Sequence, residues 1–142
     1  MRKLLFSLLF VSSLVLAEPK GVTYDTKIIR VIDGDTVVVP ATYLPPPLKP
    51  ELSVRIYGVD TPEKNPRAHC PSENEKAQAA TEFTKKMVAG ATTSRVTIYE
   101  WDKYGGRILG DIIINNKSLR AMLIQGDYAR EYYGDAKKSW CE

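Results

Sequence analysis

The sequence predicts an α+β fold, mainly β with packed helices, in which five strands form a β-barrel of the OB-fold type. Segments with strand-like and helix-like patterns follow one another in the order three strands, helix, two strands, helix. This is the element order of an OB-fold, whose five-stranded sheet closes on itself with a helix at one end. The 142-residue chain is long enough for one such core and contains no internal repeat.

The first three strands are predicted from apolar and alternating runs. Thr23–Val31 and Thr36–Pro40 are expected to form a hairpin, because the Asp-Gly pair at residues 33–34 is a strong turn signal. The third strand, Leu52–Val59, alternates apolar with polar residues. The proline-rich connection Pro40–Pro50 should be a stiff loop, which is either a spacer or a docking segment for a partner.

The first helix is predicted from its end signals and from helical periodicity. Ser72 and Glu75 have the spacing of a capping box, and Gly90 should end the helix. Three apolar residues recur at helical spacing between these ends: Ala80, Phe83 and Met87.

Two strands and a short helix complete the predicted fold. Arg95–Glu100 and Arg107–Ile114 have strand-like patterns on either side of a turn at Asp102–Gly106. The second helix should begin at Ser118 and end at Gly126. It is expected to bury three apolar residues: Leu119, Met122 and Leu123.

The N-terminus has the pattern of a secretory signal peptide. Two basic residues precede the apolar stretch Leu4–Leu16, and small residues ending at Ala17 form a typical cleavage site. Thirteen positions are too few to span a bilayer as a helix. We therefore predict a signal peptide over residues 1–17 and one domain over residues 18–142, secreted or periplasmic and free of the membrane after cleavage. An uncleaved N-terminal anchor is the alternative.

The charge of the predicted mature chain is nearly balanced. Cleavage after Ala17 removes two basic residues and no acidic one, so the formal net charge falls from +3 to +1. A sequence-independent nucleic-acid binder usually carries a large basic excess. Any affinity for phosphate must therefore come from local arginines and lysines and from a bound cation.

Cys70 and Cys141 are the only two cysteines. An even number of cysteines in a chain that enters an oxidising compartment predicts a disulfide. Because His69 adjoins Cys70, zinc ligation is the alternative, although one histidine and two cysteines leave a four-ligand site incomplete without a carboxylate.

Two acidic segments and one arginine point to phosphate chemistry. Ile32–Thr36 reads Ile-Asp-Gly-Asp-Thr, and Val59–Glu63 reads Val-Asp-Thr-Pro-Glu. Asp35 and Asp60 can offer oxygens to a hard cation, and Arg55 can contact a phosphate through two parallel hydrogen bonds. Taken singly, the first segment is an ordinary hairpin turn and the second an ordinary strand exit.

Together with the Asp-Lys-Tyr-Gly-Gly-Arg stretch at Asp102–Arg107, these segments resemble the staphylococcal nuclease (thermonuclease) family. The resemblance covers roughly residues 27–133. It implies an OB-fold and an endonuclease activity that hydrolyses phosphodiester bonds of DNA and RNA. The competing hypothesis is a catalytically inactive OB-fold module that binds nucleic acid or a protein partner.

The resemblance also implies the roles of individual residues. It assigns calcium ligands to three positions: Asp35, Asp60 and the backbone carbonyl of Thr61. Glu63 would be the general base that activates a water molecule, and Arg55 and Arg107 would hold the non-bridging phosphate oxygens. Four further residues would contact the terminal phosphate or stack on a base: Lys103, Tyr104, Tyr132 and Tyr133. Either of the last two could instead pack on the barrel.

Such contacts favour a single-stranded DNA or RNA substrate, with little discrimination between the two sugars. We expect a monomer with no stable protein partner.

The chain departs from the family pattern at two places. Gly105 and Gly106 stand where the family has one glycine, so Arg107 comes one residue late. A glycine bulge could absorb the extra residue; otherwise Arg107 would point to the wrong face of its strand. The long third helix of the family is also missing, because only nine residues follow Tyr133.

Overall fold

The computed structural model describes residues 20–141, which form nine strands and two helices. The elements in chain order are β1 (Val22–Asp25), β2 (Arg30–Asp33), β3 (Thr36–Pro40), β4 (Glu51–Ile56), β5 (Val59–Asp60), α1 (Pro71–Ala89), β6 (Ser94–Trp101), β7 (Arg107–Ile114), β8 (Lys117–Ser118), α2 (Leu119–Gln125) and β9 (Arg130–Glu131). The signal peptide predicted for residues 1–17 lies outside the described residues. Within the described part, neither helix is long and apolar enough to cross a membrane.

The main sheet is mixed. Its strand order is β1-β6-β7-β4-β3-β2, with β8 added to β7, and β5 and β9 pair separately. Among the strands of residues 20–141, only β4 and β7 pair in parallel; the other pairs are antiparallel. The α+β class is therefore confirmed, whereas the closed five-stranded barrel is not.

The difference from the predicted barrel has a local cause. The segment predicted as one strand, Thr23–Val31, is divided by residues 26–29 into β1 and β2. Because β1 pairs with β6 and β2 with β3, this one segment supplies both ends of the sheet. The predicted third strand is likewise divided into β4 and β5, and β5 leaves the main sheet to pair with β9.

The hairpin turn between β2 and β3 is fixed against α1. A Cβ atom on Gly34 would lie 2.8 Å from the Ala80 Cβ, so only glycine allows this approach. The buried Thr84 hydroxyl donates a 2.7 Å hydrogen bond to the Gly34 carbonyl oxygen. This packing sets the position of Asp35, the next residue in the turn.

The hydrophobic core lies between the sheet and the two helices. Its fully buried side chains include six large apolar residues: Val37, Val54, Ile56, Ile112, Leu119 and Leu123. As predicted, Ala80 is buried on α1, Phe83 and Met87 pack against the core, and α2 buries its two leucines, although Met122 is only partly buried.

The helix ends follow the predictions with one exception. Gly90 and Gly126 follow the last residues of α1 and α2, and the Ser118 side chain accepts a hydrogen bond from Ala121 N–H. The capping box at Ser72 is wrong, because α1 begins at Pro71, one residue earlier, and the side chain of Cys70 at its N-cap makes no capping hydrogen bond. Proline suits this first position since its missing N–H needs no partner there.

The described part of the chain ends in a segment without helix or strand, residues 134–141, which we call the C-terminal strap. The predicted disulfide between Cys70 and Cys141 is present and joins the end of the strap to the beginning of α1. Since both sulfurs are in this bond, the zinc alternative is wrong.

Candidate active site

A cleft of about 580 Å³ contains most of the predicted site residues. Nine of the ten predicted residues with catalytic, metal-binding or substrate-binding roles line it: Asp35, Arg55, Thr61, Glu63, Lys103, Tyr104, Arg107, Tyr132 and Tyr133. The tenth, Asp60, lines an adjoining cleft of about 540 Å³. Thr61 and Glu63 line both clefts, so the two cavities meet at this segment.

Asp35 and Arg55 are brought together by the pairing of β3 with β4. Thr36 lies opposite Arg55 in the register, which places the guanidinium beside the turn that carries Asp35. Arg55 Nη2 lies 3.6 Å from Asp35 Oδ2, and the Thr36 hydroxyl donates a 3.0 Å hydrogen bond to Asp35 Oδ1. Arg55 Nη2 also donates to the Val59 carbonyl oxygen at 3.4 Å. Local strand register alone therefore builds this part of the site.

Asp60 is held by the C-terminal strap. Its buried carboxylate accepts a 3.0 Å hydrogen bond at Oδ2 from the indole Nε1 of Trp140. Its other oxygen, Oδ1, lies 3.2 Å from Lys137 Nζ. Sequence reasoning missed both partners, since the strap has no periodic pattern. The predicted disulfide was the only signal that placed the end of the chain near residues 60–70.

The strap has several anchors besides these two contacts. The Arg130 guanidinium lies 3.8 Å from the centroid of the Trp140 ring, and its Nη1 donates a 2.9 Å hydrogen bond to the Ser139 carbonyl oxygen. Lys76 Nζ donates to the Trp140 carbonyl oxygen at 3.0 Å. Together with the disulfide, these contacts fix the position of the Trp140 ring over Asp60.

Glu63 lies on a loop that a second, buried glutamate supports. The Glu63 carboxylate is 3.2 Å from Arg67 Nε, and its backbone N–H donates to Glu73 Oε2 at 3.2 Å. Glu73 Oε1 accepts hydrogen bonds from the backbone N–H of His69 at 3.0 Å and from its ring at 2.8 Å. Burial alone would raise the pKa of Glu73, but the hydrogen bonds from His69 and Glu63 lower it. Glu73 is thus a charged anchor for the loop, which the sequence did not reveal.

Arg107 forms an ion pair with the buried Asp102. The second Asp102 oxygen accepts a 3.4 Å hydrogen bond from the Tyr104 backbone N–H. Burial would raise the pKa of Asp102, whereas the hydrogen bonds from Arg107 and Tyr104 and the nearby guanidinium charges lower it. The carboxylate therefore stays charged and orients Arg107 at the wall of the cleft that also contains Arg55.

The extra glycine is accommodated within the turn. Gly105 and Gly106 have φ values of +72° and +73°, a conformation that strains other residues. The register shift between β6 and β7 lies elsewhere, on β6 between Ile98 and Glu100. The proposed glycine bulge is therefore replaced by a turn of two left-handed glycines, and Arg107 nevertheless lines the main cleft.

The four candidate substrate contacts differ in exposure and partners. Tyr104 is 77% exposed, and Lys103 Nζ lies 5.1 Å from its ring centroid. Tyr133 is 61% exposed, although its hydroxyl accepts a hydrogen bond from Arg120 and its ring lies 5.9 Å from that of Tyr57. Tyr132 is partly buried, with Lys137 Nζ 5.4 Å from its ring centroid. Lys103 and Tyr104 are therefore free to meet a ligand, while Tyr133 also packs against Tyr57 in the turn between β4 and β5.

The donor chemistry near the two clefts fits a hard cation. No group of three or more His, Cys, Asp or Glu side chains within residues 20–141 is placed to share a metal ion. The three predicted ligands, the carboxylates of Asp35 and Asp60 and the backbone carbonyl of Thr61, all offer oxygens, which calcium prefers. A site built from these donors needs water or substrate oxygens to complete its coordination.

The chain is similar to a known protein family. A family model described as "Staphylococcal nuclease homologue" matches residues 53–140, more than half of the chain. The matched range includes Arg55, Asp60, Glu63, Arg107 and Trp140, whereas Asp35 precedes it. A search of curated proteins found no match.

Proposed function

This chain belongs to the staphylococcal nuclease family, and from that premise we propose that it is a secreted, calcium-dependent nuclease. It hydrolyses phosphodiester bonds of DNA and RNA with little preference for either sugar. One observation carries this proposal above the others: Arg55 and Arg107 line the same cleft as Asp35 and Glu63.

The two arginines suit the phosphate of a nucleic-acid strand. Each guanidinium is already oriented by a carboxylate, Arg55 by Asp35 and Arg107 by Asp102. A planar guanidinium can donate two parallel hydrogen bonds to phosphate oxygens. These donors are held in place before substrate arrives. Their contacts with the phosphate oxygens should strengthen as negative charge accumulates on those oxygens in the transition state.

Glu63 is the residue best placed to accept a proton from the attacking water. Its side chain is 37% exposed and reaches the cleft, while its backbone is fixed by Glu73. In the free protein, Arg67 lies beside this carboxylate, and substrate phosphate would compete for that arginine. As water adds to phosphorus and Glu63 takes its proton, the bond to the 5′ oxygen breaks, that oxygen leaves as a hydroxyl by taking a proton from solvent, and a 3′-phosphate remains.

Asp35, Asp60 and the Thr61 carbonyl would hold the calcium ion. Calcium held there would supply positive charge to the scissile phosphate, and its sites tolerate a flexible set of oxygen ligands. Both carboxylates are buried, and the charged groups described beside them, Arg55 and Lys137, are cations rather than further anions.

Single-stranded DNA or RNA fits the remaining features of the cleft. The exposed ring of Tyr104 with Lys103 beside it can stack on a base and contact a phosphate without reading sequence. Tyr132 and Tyr133 line the same cleft and provide a second place for a base. We propose that the protein acts as a monomer.

One observation favours the inactive binding module instead, namely that Lys137 and Trp140 occupy both oxygens of Asp60. The two functions are separated by digestion of a single-stranded DNA oligonucleotide with calcium and with excess chelator. We expect rapid, calcium-dependent digestion by the wild-type protein. Wild-type protein that binds the oligonucleotide without cleaving it would establish the binding module, and equal digestion in chelator would contradict the calcium assignment.

The variant Glu63→Gln tests the general base in the same assay. Loss of general-base help should reduce turnover by about 10² to 10⁴-fold while calcium binding is retained. Glu82→Gln is the matched control, because Glu82 lies exposed on α1 and contacts Lys85 rather than the cleft. Near-wild-type turnover in Glu63→Gln would exclude this residue as the base.

A further inference from the structure

Lys137 occupies an unusual place between the two clefts. Its Nζ lies 3.2 Å from Asp60 Oδ1 and 5.4 Å from the ring centroid of Tyr132. Its side chain is 50% exposed and lines both cavities. An ammonium group therefore lies on one of the proposed metal ligands and at the wall of the proposed substrate cleft.

A cation that binds Asp60 must compete with this ammonium. Two positive charges on one carboxylate oxygen repel each other strongly in a partly buried place. Trp140 has no such conflict, because its indole N–H is a neutral donor on the other oxygen, Oδ2. Trp140 can keep Asp60 oriented in both states, as outer-shell donors do for ligating carboxylates.

The Lys137 side chain can move without disturbing the rest of the strap. The strap is anchored separately by the Cys70–Cys141 disulfide, by the Arg130 contacts and by Lys76 on the Trp140 carbonyl oxygen. Lysine has a flexible four-carbon stem and three donors that accept many directions. A half-exposed ammonium that leaves Asp60 remains within the wall of the main cleft.

We propose that Lys137 is a substrate-binding residue that couples the metal site to the nucleic acid. Its ammonium neutralises Asp60 in the metal-free protein and contacts a substrate phosphate once calcium has taken Asp60. This inference rests on the proposed function, because it needs a cation at Asp60 and a nucleic acid in the cleft. Linkage then requires that calcium and nucleic acid each strengthen the binding of the other.

The first test is isothermal titration calorimetry with calcium ions alone, without nucleic acid. Lys137→Met removes the competing charge and should bind calcium about three- to tenfold more tightly than wild type, the scale of a half-exposed ion pair. Lys137→Arg keeps the competing charge and should stay near wild type. Lys138→Met is the matched control, since it removes the same charge from the adjacent, exposed residue and should change the affinity little.

The second test measures oligonucleotide binding with saturating calcium in the Glu63→Gln background, where cleavage is suppressed. Adding Lys137→Met should weaken binding several-fold and reduce the slope of log affinity against log salt by about 0.7, the value for one phosphate contact on a single strand. Adding Lys138→Met should leave the slope near that of the background.

The outcomes separate this inference from the proposed function. If the wild-type protein digests DNA with calcium but Lys137→Met binds calcium no more tightly than Lys138→Met, the inference is overturned and the nuclease remains. If neither wild type nor Lys137→Met binds calcium, both fail. An unchanged salt slope in Lys137→Met overturns the phosphate contact.

Discussion

Asp35 and Asp60 are both buried carboxylates of the candidate active site, yet their partners come from different regions of the molecule. Asp35 is held by Thr36 and Arg55, which lie on the adjacent strands β3 and β4. Asp60 is held by Lys137 and Trp140, and the latter lies 80 residues further along the chain. The sheet register therefore determines one half of the site, and the disulfide-linked strap determines the other.

The two halves of the site should respond differently to substitutions. The Asp35 half forms whenever β3 and β4 pair in register, because a one-residue slip would turn Arg55 away. The Asp60 half depends on a segment that lacks secondary structure and is anchored by single side chains and one disulfide. Changes in the strap should therefore alter Asp60 while Asp35 keeps its geometry.

The largest expected effect comes from removing either carboxylate. Asp35→Asn and Asp60→Asn should each reduce calcium-dependent turnover at least about 100-fold, because a bound metal supplies several kcal/mol of transition-state stabilisation. A second measurement, limited trypsin digestion followed by mass spectrometry, compares the two halves of the site. Asp60→Asn should accelerate cleavage after Lys137, since it releases the side chain that trypsin must bind while the other anchors of the strap stay in place.

Asp35→Asn should leave that cleavage rate unchanged. Asp135→Asn is the control for charge on the strap itself, because Asp135 is exposed there. Equal protection of the strap in the Asp60 and Asp35 variants would contradict the division of the site into two halves.

The same division explains what could be predicted from the sequence. The Asp35 half rests on a hairpin turn and strand alternation, which are local signals, and the structure brings Asp35 and Arg55 together. For the partners of Asp60, only the disulfide indicated which part of the chain would supply them. Nothing in the pattern of residues 134–141 indicates that the Trp140 indole would reach Asp60, because that contact depends on tertiary packing alone.

Two errors in the predicted fold also have physical causes. A periodic pattern cannot reveal that β1 and β2 pair with different neighbours, because both have the same strand-like alternation. The capping box at Ser72 was wrong because Pro71 starts the helix one residue earlier. Glu73 then becomes the third helical residue, and its carboxylate reaches back to the backbone N–H of His69, one residue before the N-cap that a capping-box glutamate contacts.

The next effect on turnover, close to the lower limit expected for the carboxylate variants, is at the second phosphate contact. Arg107→Lys keeps the charge but loses the planar pair of donors, so turnover at saturating DNA and calcium should fall about 10²-fold. Arg55→Lys should behave similarly, because both arginines line the main cleft beside a carboxylate partner. Arg95→Lys on β6 is the control.

This prediction tests the turn of two left-handed glycines as well. Near-wild-type turnover in Arg107→Lys would mean that the extra glycine leaves Arg107 without contact to the reacting phosphate. Lys103, which lies in the same turn and lines the cleft, would then be the alternative second contact.

Removal of the disulfide should act mainly through stability and the Asp60 half. The bond closes a loop with a sequence separation of 71, which corresponds to roughly 4 kcal/mol in the chain-entropy model. A Cys70→Ser, Cys141→Ser double variant should therefore melt at least several degrees lower, as measured by calorimetry. Turnover in the folded variant should fall by about 10 to 100-fold, the range for lost outer-shell support of a metal ligand.

Reduction of the wild-type protein provides the control, because it removes the bond without changing any residue. It should reproduce the lower melting temperature and the faster trypsin cleavage in the strap. An unchanged melting temperature in both cases would show that the other anchors of Trp140 hold the strap without the disulfide.

The smallest expected effect on turnover, and the most specific in its pH dependence, is at Glu73. Its carboxylate supports the Glu63 loop, and its hydrogen bonds lower its pKa despite burial. A lowered carboxyl pKa contributes stability above the ordinary value of 4.5, and this contribution is lost as the pH falls through the folded-state pKa. Glu73→Gln should therefore reduce the free energy of unfolding at pH 7 by about 1–3 kcal/mol.

The difference between wild type and Glu73→Gln should shrink as the pH falls below 4.5, as measured by urea unfolding at several pH values. Glu82→Gln on the same helix should show a small difference that stays constant, because Glu82 is exposed. Turnover in Glu73→Gln should fall less than in the Asp60 variants, since the backbone of Glu63 loses one hydrogen bond while its carboxylate stays in the cleft. A pH-independent loss of stability would indicate that Glu73 acts by packing alone rather than as a charged anchor.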